Sequence, residues 1–111
     1  MQIHSALGNG FQEIIYQKAL AIEMSLQGIL FEREMEMPIF YKDHLLGKRR
    51  VDFFVENLIM VELKAVIILE DIHLNQAMNY LEAYKTEIGL LINFGGQSLK
   101  FKRVNNNNLR P

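Results

Sequence analysis

The segment from Arg50 to Lys64 restricts the fold most, because apolar residues recur at every second position on both sides of a short turn. Successive side chains of a strand point to opposite faces, so each half of the segment has one wholly apolar face. A hairpin buries both apolar faces on the same side only if the turn is Glu56-Asn57-Leu58, which sets Asp52 opposite Glu62. The sequence therefore predicts two antiparallel strands that bring Asp52, Glu62 and Lys64 to one face.

This patch of two carboxylates and one ammonium has two interpretations. In the first, Lys64 forms a salt bridge with Glu62 or Asp52 on the wet face of a half-buried sheet. In the second, the two carboxylates bind Mg²⁺ or Mn²⁺, and the ammonium steadies an attacking water or a charged phosphate. The side chains that other segments bring to the same face decide between them.

Composition indicates one ordinary domain, with 111 residues of which 50% are hydrophobic and 23% charged. The absence of cysteine excludes a disulfide framework, a thiolate zinc site and a cysteine nucleophile, and it suits the reducing cytoplasm. No apolar run reaches membrane-spanning length, and no signal pattern begins the chain, so no membrane association is expected. The net charge of −1 does not indicate nucleic-acid binding. Such binding would need a local basic patch, such as residues 48–50.

Two helices are predicted, over residues 11–27 and from Asp71, as the cap, to Tyr84. Gly28 is expected to end the first helix. The predicted buried stripe of the first helix is Phe11, Ile14, Ile15, Ala19, Ile22 and Leu26. In the second helix the predicted stripe is Ala77, Leu81 and Tyr84, whereas Gln76 and Tyr80 share another face. Residues 1–9 are expected to be turn-like.

Further strands are predicted at residues 29–41, 88–94 and 98–104, with a polar turn at 42–48. Pro38 indicates that the first of these strands lies at a sheet edge or carries a bulge. The order of helices and strands predicts an α/β fold with a central mixed sheet flanked by two helices. We expect a single domain over residues 1–104 and a flexible tail at 105–111.

Four ordered motifs resemble the PD-(D/E)XK nuclease superfamily, especially its RecB-like branch. They are a helical Glu13, Asp52, the Glu62-x-Lys64 pair, and Gln76-x-x-x-Tyr80 on the next helix. More narrowly, residues 10–16 (GFQEIIY) fit the signature of the GxxExxY proteins, with further matches at residues 50–52, 61–65, 76–81 and 89–95. Similar proteins generally have an extra turn or two of helix ahead of the segment that begins here with Met1, so a truncation or an upstream start is a hypothesis.

The resemblance implies a restriction-endonuclease-like core and metal-dependent hydrolysis of phosphodiester bonds, in DNA more than in RNA. Asp52 and Glu62 would hold Mg²⁺ or Mn²⁺ together with the main-chain oxygen of Leu63, and Glu13 would add a direct or water-mediated contact. Lys64 would orient the attacking water and stabilise the charged transition state electrostatically. The resemblance assigns substrate-orienting roles to three residues, Gln76, Tyr80 and Arg50.

The alternative is a catalytically silent nuclease fold that serves binding or dimerisation. The presence of both carboxylates and the lysine favours the nuclease. Nothing in the sequence resembles a sequence-reading module, so low specificity is expected, or specificity supplied by a protein partner. A homodimer would form through the edge strand near Pro38 or through the first helix. His4 and His73 are assigned no role.

Overall fold

The central hairpin forms as predicted in the computed structural model of the protein, which describes residues 2–106. Its strands are β2 (His44–Val55) and β3 (Ile59–Lys64), which pair antiparallel. Phe53 lies opposite Val61, so the register is the one that the parity argument requires. The turn is closed by Glu56 and Asn57, whose φ angles are 54° and 56°.

The five strands follow one another across the sheet in chain order, from β1 (Phe31–Tyr41) through β2, β3 and β4 (Ile88–Asn93) to β5 (Lys100–Asn105). Only β3 and β4 are parallel, and α3 (Asp71–Tyr84) makes the crossover between them. The predicted α/β fold with a mixed sheet is therefore confirmed. No helix within residues 2–106 is both long and apolar enough to cross a bilayer.

Three helices pack on the sheet rather than two, because residues 1–9 are not simply turn-like. A short helix, α1 (Gln2–Leu7), precedes α2 (Glu13–Leu26), and Gly28 takes a left-handed φ of 71° just after α2, as expected of a helix stop. The cap of α3 is Glu70 rather than Asp71, and the Glu70 N–H donates to His73 Nδ1 at 2.9 Å.

The predicted buried stripe of α2 is wrong. Five of its members are exposed, namely Phe11, Ile14, Ile15, Ile22 and Leu26. The helix instead buries Tyr16, Gln17, Leu20 and Met24. Tyr16 determines this orientation, because its ring stacks on Phe94 with 4.6 Å between centroids and its hydroxyl donates to Gly8 O at 2.6 Å.

The strand boundaries differ from the predicted ones at two places. The polar turn expected at 42–48 shrinks to Lys42-Asp43, both with positive φ, and residues 44–48 belong to β2. Pro38 lies in the edge strand β1, which also carries a register shift at Ile39/Phe40. The last strand runs through Asn105, and Asn106 is buried. The rest of the predicted tail, 107–111, lies outside the described residues.

Each face of the sheet has its own apolar cluster, one beneath α1 and α2 and the other beneath α3. Phe53 belongs to the first cluster and Val51 to the second, although both are fully buried on the same strand. Side chains two apart normally share a face, so β2 twists sharply between them. Glu34, across the hairpin on β1, has a left-handed φ of 55° at this level. The residue at the twist is Asp52.

Candidate metal centre

The strands β2 and β3 separate where the predicted acidic residues lie. Their backbone pairing ends at Phe53 and Val61. The Asp52 carboxylate fills the gap, because its Oδ2 atom accepts a hydrogen bond from the Leu63 N–H at 2.7 Å. The N–H and C=O of one strand residue point to the same side. The Leu63 carbonyl therefore faces the gap as well, whereas the neighbouring Lys64 carbonyl faces β4 and accepts from the Phe94 N–H at 2.9 Å.

Glu62 is the most unusual ionisable group of the site. Its side chain is 9% exposed, and its Oε1 atom is buried with no hydrogen-bond partner among the described residues. Burial raises the pKa of Glu62 to about 8, helped by the negative charge of Asp52 and opposed by a main-chain hydrogen bond from Asp52 and by Lys64. A buried carboxylate without compensation requires either a proton or a cation.

Gln17, a residue that the sequence argument missed, orients Asp52. Its Nε2 donates to Asp52 Oδ1 at 3.1 Å, and its Oε1 accepts from Arg33 Nε at 2.9 Å. Gln17 is buried on α2, so this chain of hydrogen bonds ties the helix and the edge strand to the carboxylate. Asp52 is thereby held on one side by Gln17 and on the other by the Leu63 N–H.

Glu13 opens α2 at the border of the site. Its pKa is raised, first by desolvation, while the positive charge of Lys64 lowers it and the charge of Asp52 raises it. Its carboxyl is thus within electrostatic reach of both residues. Within residues 2–106, however, no three His, Asp or Glu side chains come together closely enough to hold a metal ion. The structure therefore brings Asp52 and Glu62 together as a pair, with Glu13 at longer range.

The salt bridge of the first interpretation is not formed within the described residues. In the part of the chain that the structure describes, the ion pairs join Lys48 and Arg50 to acidic residues of β1, and none joins Lys64 to Asp52 or Glu62. The donors that face the gap are two carboxylates and one carbonyl, all of them hard oxygen ligands of the kind that Mg²⁺ and Mn²⁺ prefer. The Oε1 atom of Glu62 fits such a cation, since no group in the described part of the chain forms a hydrogen bond with it.

The three residues predicted to touch substrate do not lie together. Tyr80 and Gln76 are both partly exposed on α3, and the Tyr80 hydroxyl accepts from Arg49. Arg50 turns to the other side, 3.9 Å from both Glu34 and Glu36. The structure therefore pairs Arg49, and not the predicted Arg50, with the α3 residues.

Comparison with known proteins shows the family and the fold. A family model described as the PD-(D/E)XK nuclease superfamily matches residues 1–104. The chain belongs to this superfamily. In fold it is similar to the crystal structure of SSO0001, with a TM-score of 0.68 and 21% identity over 84% of this chain and 50% of that chain. The chain thus spans half the length of that structure. No curated protein matches its sequence.

Proposed function

We propose that the protein is a cytoplasmic, Mg²⁺- or Mn²⁺-dependent nuclease that hydrolyses phosphodiester bonds, in DNA more than in RNA. The observation that carries this proposal is the buried Glu62 carboxyl, which lies beside the carboxylate of Asp52 and whose Oε1 has no hydrogen-bond partner among residues 2–106. A structural role for Glu62 would require partners for both carboxyl oxygens, whereas Asp52 leaves Oε1 unsatisfied within the described residues. A cation supplied from solution satisfies the same oxygen and compensates both charges.

We further assign the chain to the GxxExxY group of the RecB-like branch, on the motif Gly10, Glu13 and Tyr16. The packing of α2 gives Glu13 and Tyr16 of this motif each a physical role. Tyr16 anchors α2 on the sheet through its stacking on Phe94, and this anchoring sets the first turn of α2, with Glu13, at the border of the site. The tyrosine of the motif is then a positioning residue rather than a catalytic one.

In this nuclease Asp52, Glu62 and the Leu63 carbonyl would hold the cation, and Glu13 would contribute charge or bind through a water. A divalent ion bound there supplies Lewis acidity, which lowers the pKa of a water and offsets charge on the phosphate. Lys64 has no direct ion pair among the described residues, so its ammonium is available to donate to a phosphate oxygen or to orient the water. Gln17 and Arg33 keep Asp52 aimed into the gap.

The test is cleavage of single- and double-stranded DNA and RNA with Mg²⁺, with Mn²⁺ and with EDTA. We expect Glu62→Gln and Lys64→Ala each to reduce metal-dependent cleavage by about 100-fold or more, because the first removes a charged ligand of the cation and the second removes the ammonium that would stabilise the reacting phosphate. Matched controls are Glu32→Gln and Lys102→Ala, both on exposed strand positions. Cleavage that survives Glu62→Gln and Lys64→Ala would refute the assignment. Binding of metal and nucleic acid without any cleavage would identify the silent module instead.

We also propose that a second copy of the chain packs on the exposed face of α2. Ile15, Ile22 and Leu26 form an apolar ridge there, with Ile22 61% and Leu26 76% exposed. In a heptad repeat, Ile15 and Ile22 occupy d positions and Leu26 occupies an a position. Lys18 is then at g and Glu23 at the following e, so Lys18 of one helix lies opposite Glu23 of a parallel partner helix.

Sedimentation of the parent and of Ile22→Asp tests this dimer. We expect a parent dimer and an Ile22→Asp monomer. Ile72→Asp is the control, because Ile72 is 60% exposed on α3 and is equally apolar. A monomeric parent, or equal dissociation in both variants, would contradict the proposal.

A further inference from the structure

His73, on the first turn of α3, has one ring nitrogen committed to the helix cap and one that is not. Its Nδ1 atom accepts a hydrogen bond from the Glu70 N–H at 2.9 Å, so this nitrogen carries no proton while the cap is formed. The proton of the neutral imidazole is then on Nε2. No described residue forms a hydrogen bond with Nε2. His73 therefore presents an N–H donor that the fold of residues 2–106 does not use.

Glu62 and Lys64 point from β3 toward the face of the sheet that α3 covers. Met60 packs with Ala77 and Leu81 in the apolar cluster beneath α3. Residues two apart on a strand share a face, so Glu62 and Lys64 follow Met60 onto this side of the sheet. A side chain of α3 can therefore complete the candidate metal centre if it lies at the same height along β3.

The position of His73 along β3 follows from the packing of Leu81. A Cβ built on Gly89 would lie 3.0 Å from Leu81 Cδ2, and Gly89 lies beside Met60 in the sheet. A helix that connects two parallel strands runs back along them, and His73 lies about 12 Å before Leu81 at the rise of a helix. Lys64 lies about 13 Å beyond Met60 at the rise of a strand. His73 is therefore level with Lys64, at the end of β3 where the acidic pair lies.

The face of α3 that carries His73 is turned toward β2. Residues seven and eleven positions further along a helix return to the same face within about 20°. In α3 these residues are Tyr80 and Tyr84. Arg49 Cζ lies 5.0 Å from the centroid of the Tyr80 ring, and the ring of Tyr84 meets that of Phe54 edge-on at 5.6 Å. Arg49 and Phe54 both belong to β2, so His73 faces the gap between β2 and β3.

The electrostatics of Glu13 agree with this position. Its pKa is raised first by desolvation, and the charges that act on it are those of Lys64, Asp52 and His73. Glu13 opens α2, which packs on the face of the sheet opposite to α3. The first turns of the two helices therefore come within electrostatic reach of each other, with the metal centre between them.

We propose that His73 is a substrate-binding residue of the metal centre and that its Nε2–H donates a hydrogen bond to a phosphate oxygen of the nucleic acid. A neutral donor suits this place, because it binds the phosphate without repelling the cation. His73 is not a ligand of the ion, since a metal requires a nitrogen without a proton and Nδ1 is held by the cap. The identity of the bound phosphate as that of nucleic acid rests on the proposed function.

Two amide variants separate the roles of the two ring nitrogens. In His73→Asn the amide oxygen takes the place of Nδ1 and can still accept from the Glu70 N–H, whereas nothing replaces the Nε2–H. In His73→Gln the longer side chain carries an amide N–H to the place of the Nε2–H. The control is His44→Asn, the same substitution at an exposed position of β2.

Fluorescence anisotropy of labelled oligo-dT and of a labelled hairpin duplex, in Ca²⁺ and with a gel to show that the DNA stays intact, measures binding. Cleavage of the same DNA is measured in Mg²⁺ and in Mn²⁺. We expect His73→Asn to weaken binding and cleavage each by about 10-fold, and His73→Gln to stay within about 3-fold of the parent. His44→Asn should match the parent. The urea midpoint of His73→Asn and its rise in melting temperature with Mn²⁺ should also match the parent, because neither the cap nor the ion is lost.

The outcomes separate this inference from the nuclease itself. Weakening by His44→Asn equal to that by His73→Asn, or a fall in the urea midpoint of His73→Asn that accounts for its losses, overturns the contact with substrate. Loss of the Mn²⁺ effect in His73→Asn overturns it too, because His73 is then a ligand of the ion. If the parent cleaves and His73→Asn binds and cleaves like it, only the role of His73 falls. If His73→Asn weakens DNA binding but the parent cleaves nothing, the contact stands and the nuclease falls.

Discussion

Replacing Glu62 by glutamine should stabilise the protein at alkaline pH and leave it unchanged in acid. The unfolded chain ionises this carboxyl near its ordinary pKa of 4.5, whereas the folded protein holds the proton up to about pH 8. Between these values the folded state binds more protons than the unfolded state, so the free energy of unfolding of the parent falls as the pH rises. Above about pH 8 both states are ionised, and the loss is complete.

The magnitude follows from the two pKa values. A rise of the pKa of Glu62 from 4.5 in the unfolded chain to about 8 in the folded protein corresponds to a loss of about 5 kcal/mol in the free energy of unfolding between acid and alkaline pH. Urea unfolding at pH 4, 6 and 9 measures the difference in the free energy of unfolding between the parent and Glu62→Gln. All other titratable groups are common to the two proteins, so their contributions cancel in this difference. We expect near-equal stabilities at pH 4 and a glutamine variant more stable by several kcal/mol at pH 9. Glu32→Gln, at an exposed position, should follow the parent throughout. A Glu62→Gln curve parallel to that of the parent would show that Glu62 is not desolvated and would remove the reason for a cation.

Three further outcomes are expected. Saturating Mn²⁺ should raise the melting temperature of the parent and should not raise that of Asp52→Ala. At a concentration 100 times the dissociation constant, the bound ion should stabilise the folded parent by about 2.7 kcal/mol. Equal shifts in the two proteins would place the ion elsewhere. Gly95→Ala should lower the urea midpoint severely, because the new Cβ would lie 2.4 Å from the Val66 nitrogen, whereas Gly47→Ala meets open space; similar midpoints would contradict that packing. Tyr16→Phe should cost about 1–3 kcal/mol in urea unfolding, since its hydroxyl donates to Gly8 O at 2.6 Å and accepts from the Phe11 N–H at 3.2 Å, and no loss would show that α2 is anchored by the ring alone.

The register of the central hairpin could be predicted because it rests on parity alone. An odd-length turn between two alternating segments leaves a single pairing that buries both apolar faces, and the structure has that pairing. The buried face of α2 could not be predicted in the same way, since apolar residues lie on both of its sides. Tyr16 and Leu20 face the sheet, whereas Ile15 and Ile22 face solvent. Periodicity marks a helix but does not say which of two apolar faces meets the sheet.

The missed site residues have a common physical cause. Gln17 acts through Arg33 and Asp52, which are remote in sequence, and a glutamine inside a helix has no pattern of its own. Arg49 rather than Arg50 contacts α3, through Tyr80, because the alternation along β2 does not continue through Asp52. The twist at this residue, opposite the left-handed Glu34, reverses which side chains face α3. Simple alternation cannot reveal such a twist.

A crystal of the protein soaked in Mn²⁺ and measured near the manganese absorption edge tests the central claim most directly. We predict an anomalous peak in the gap between β2 and β3, within coordinating distance of the carboxylates of Asp52 and Glu62 and of the Leu63 carbonyl. The same soak of Glu62→Gln should lose the peak. A parent crystal without a peak in this gap, in Mn²⁺ that supports cleavage, would contradict the account.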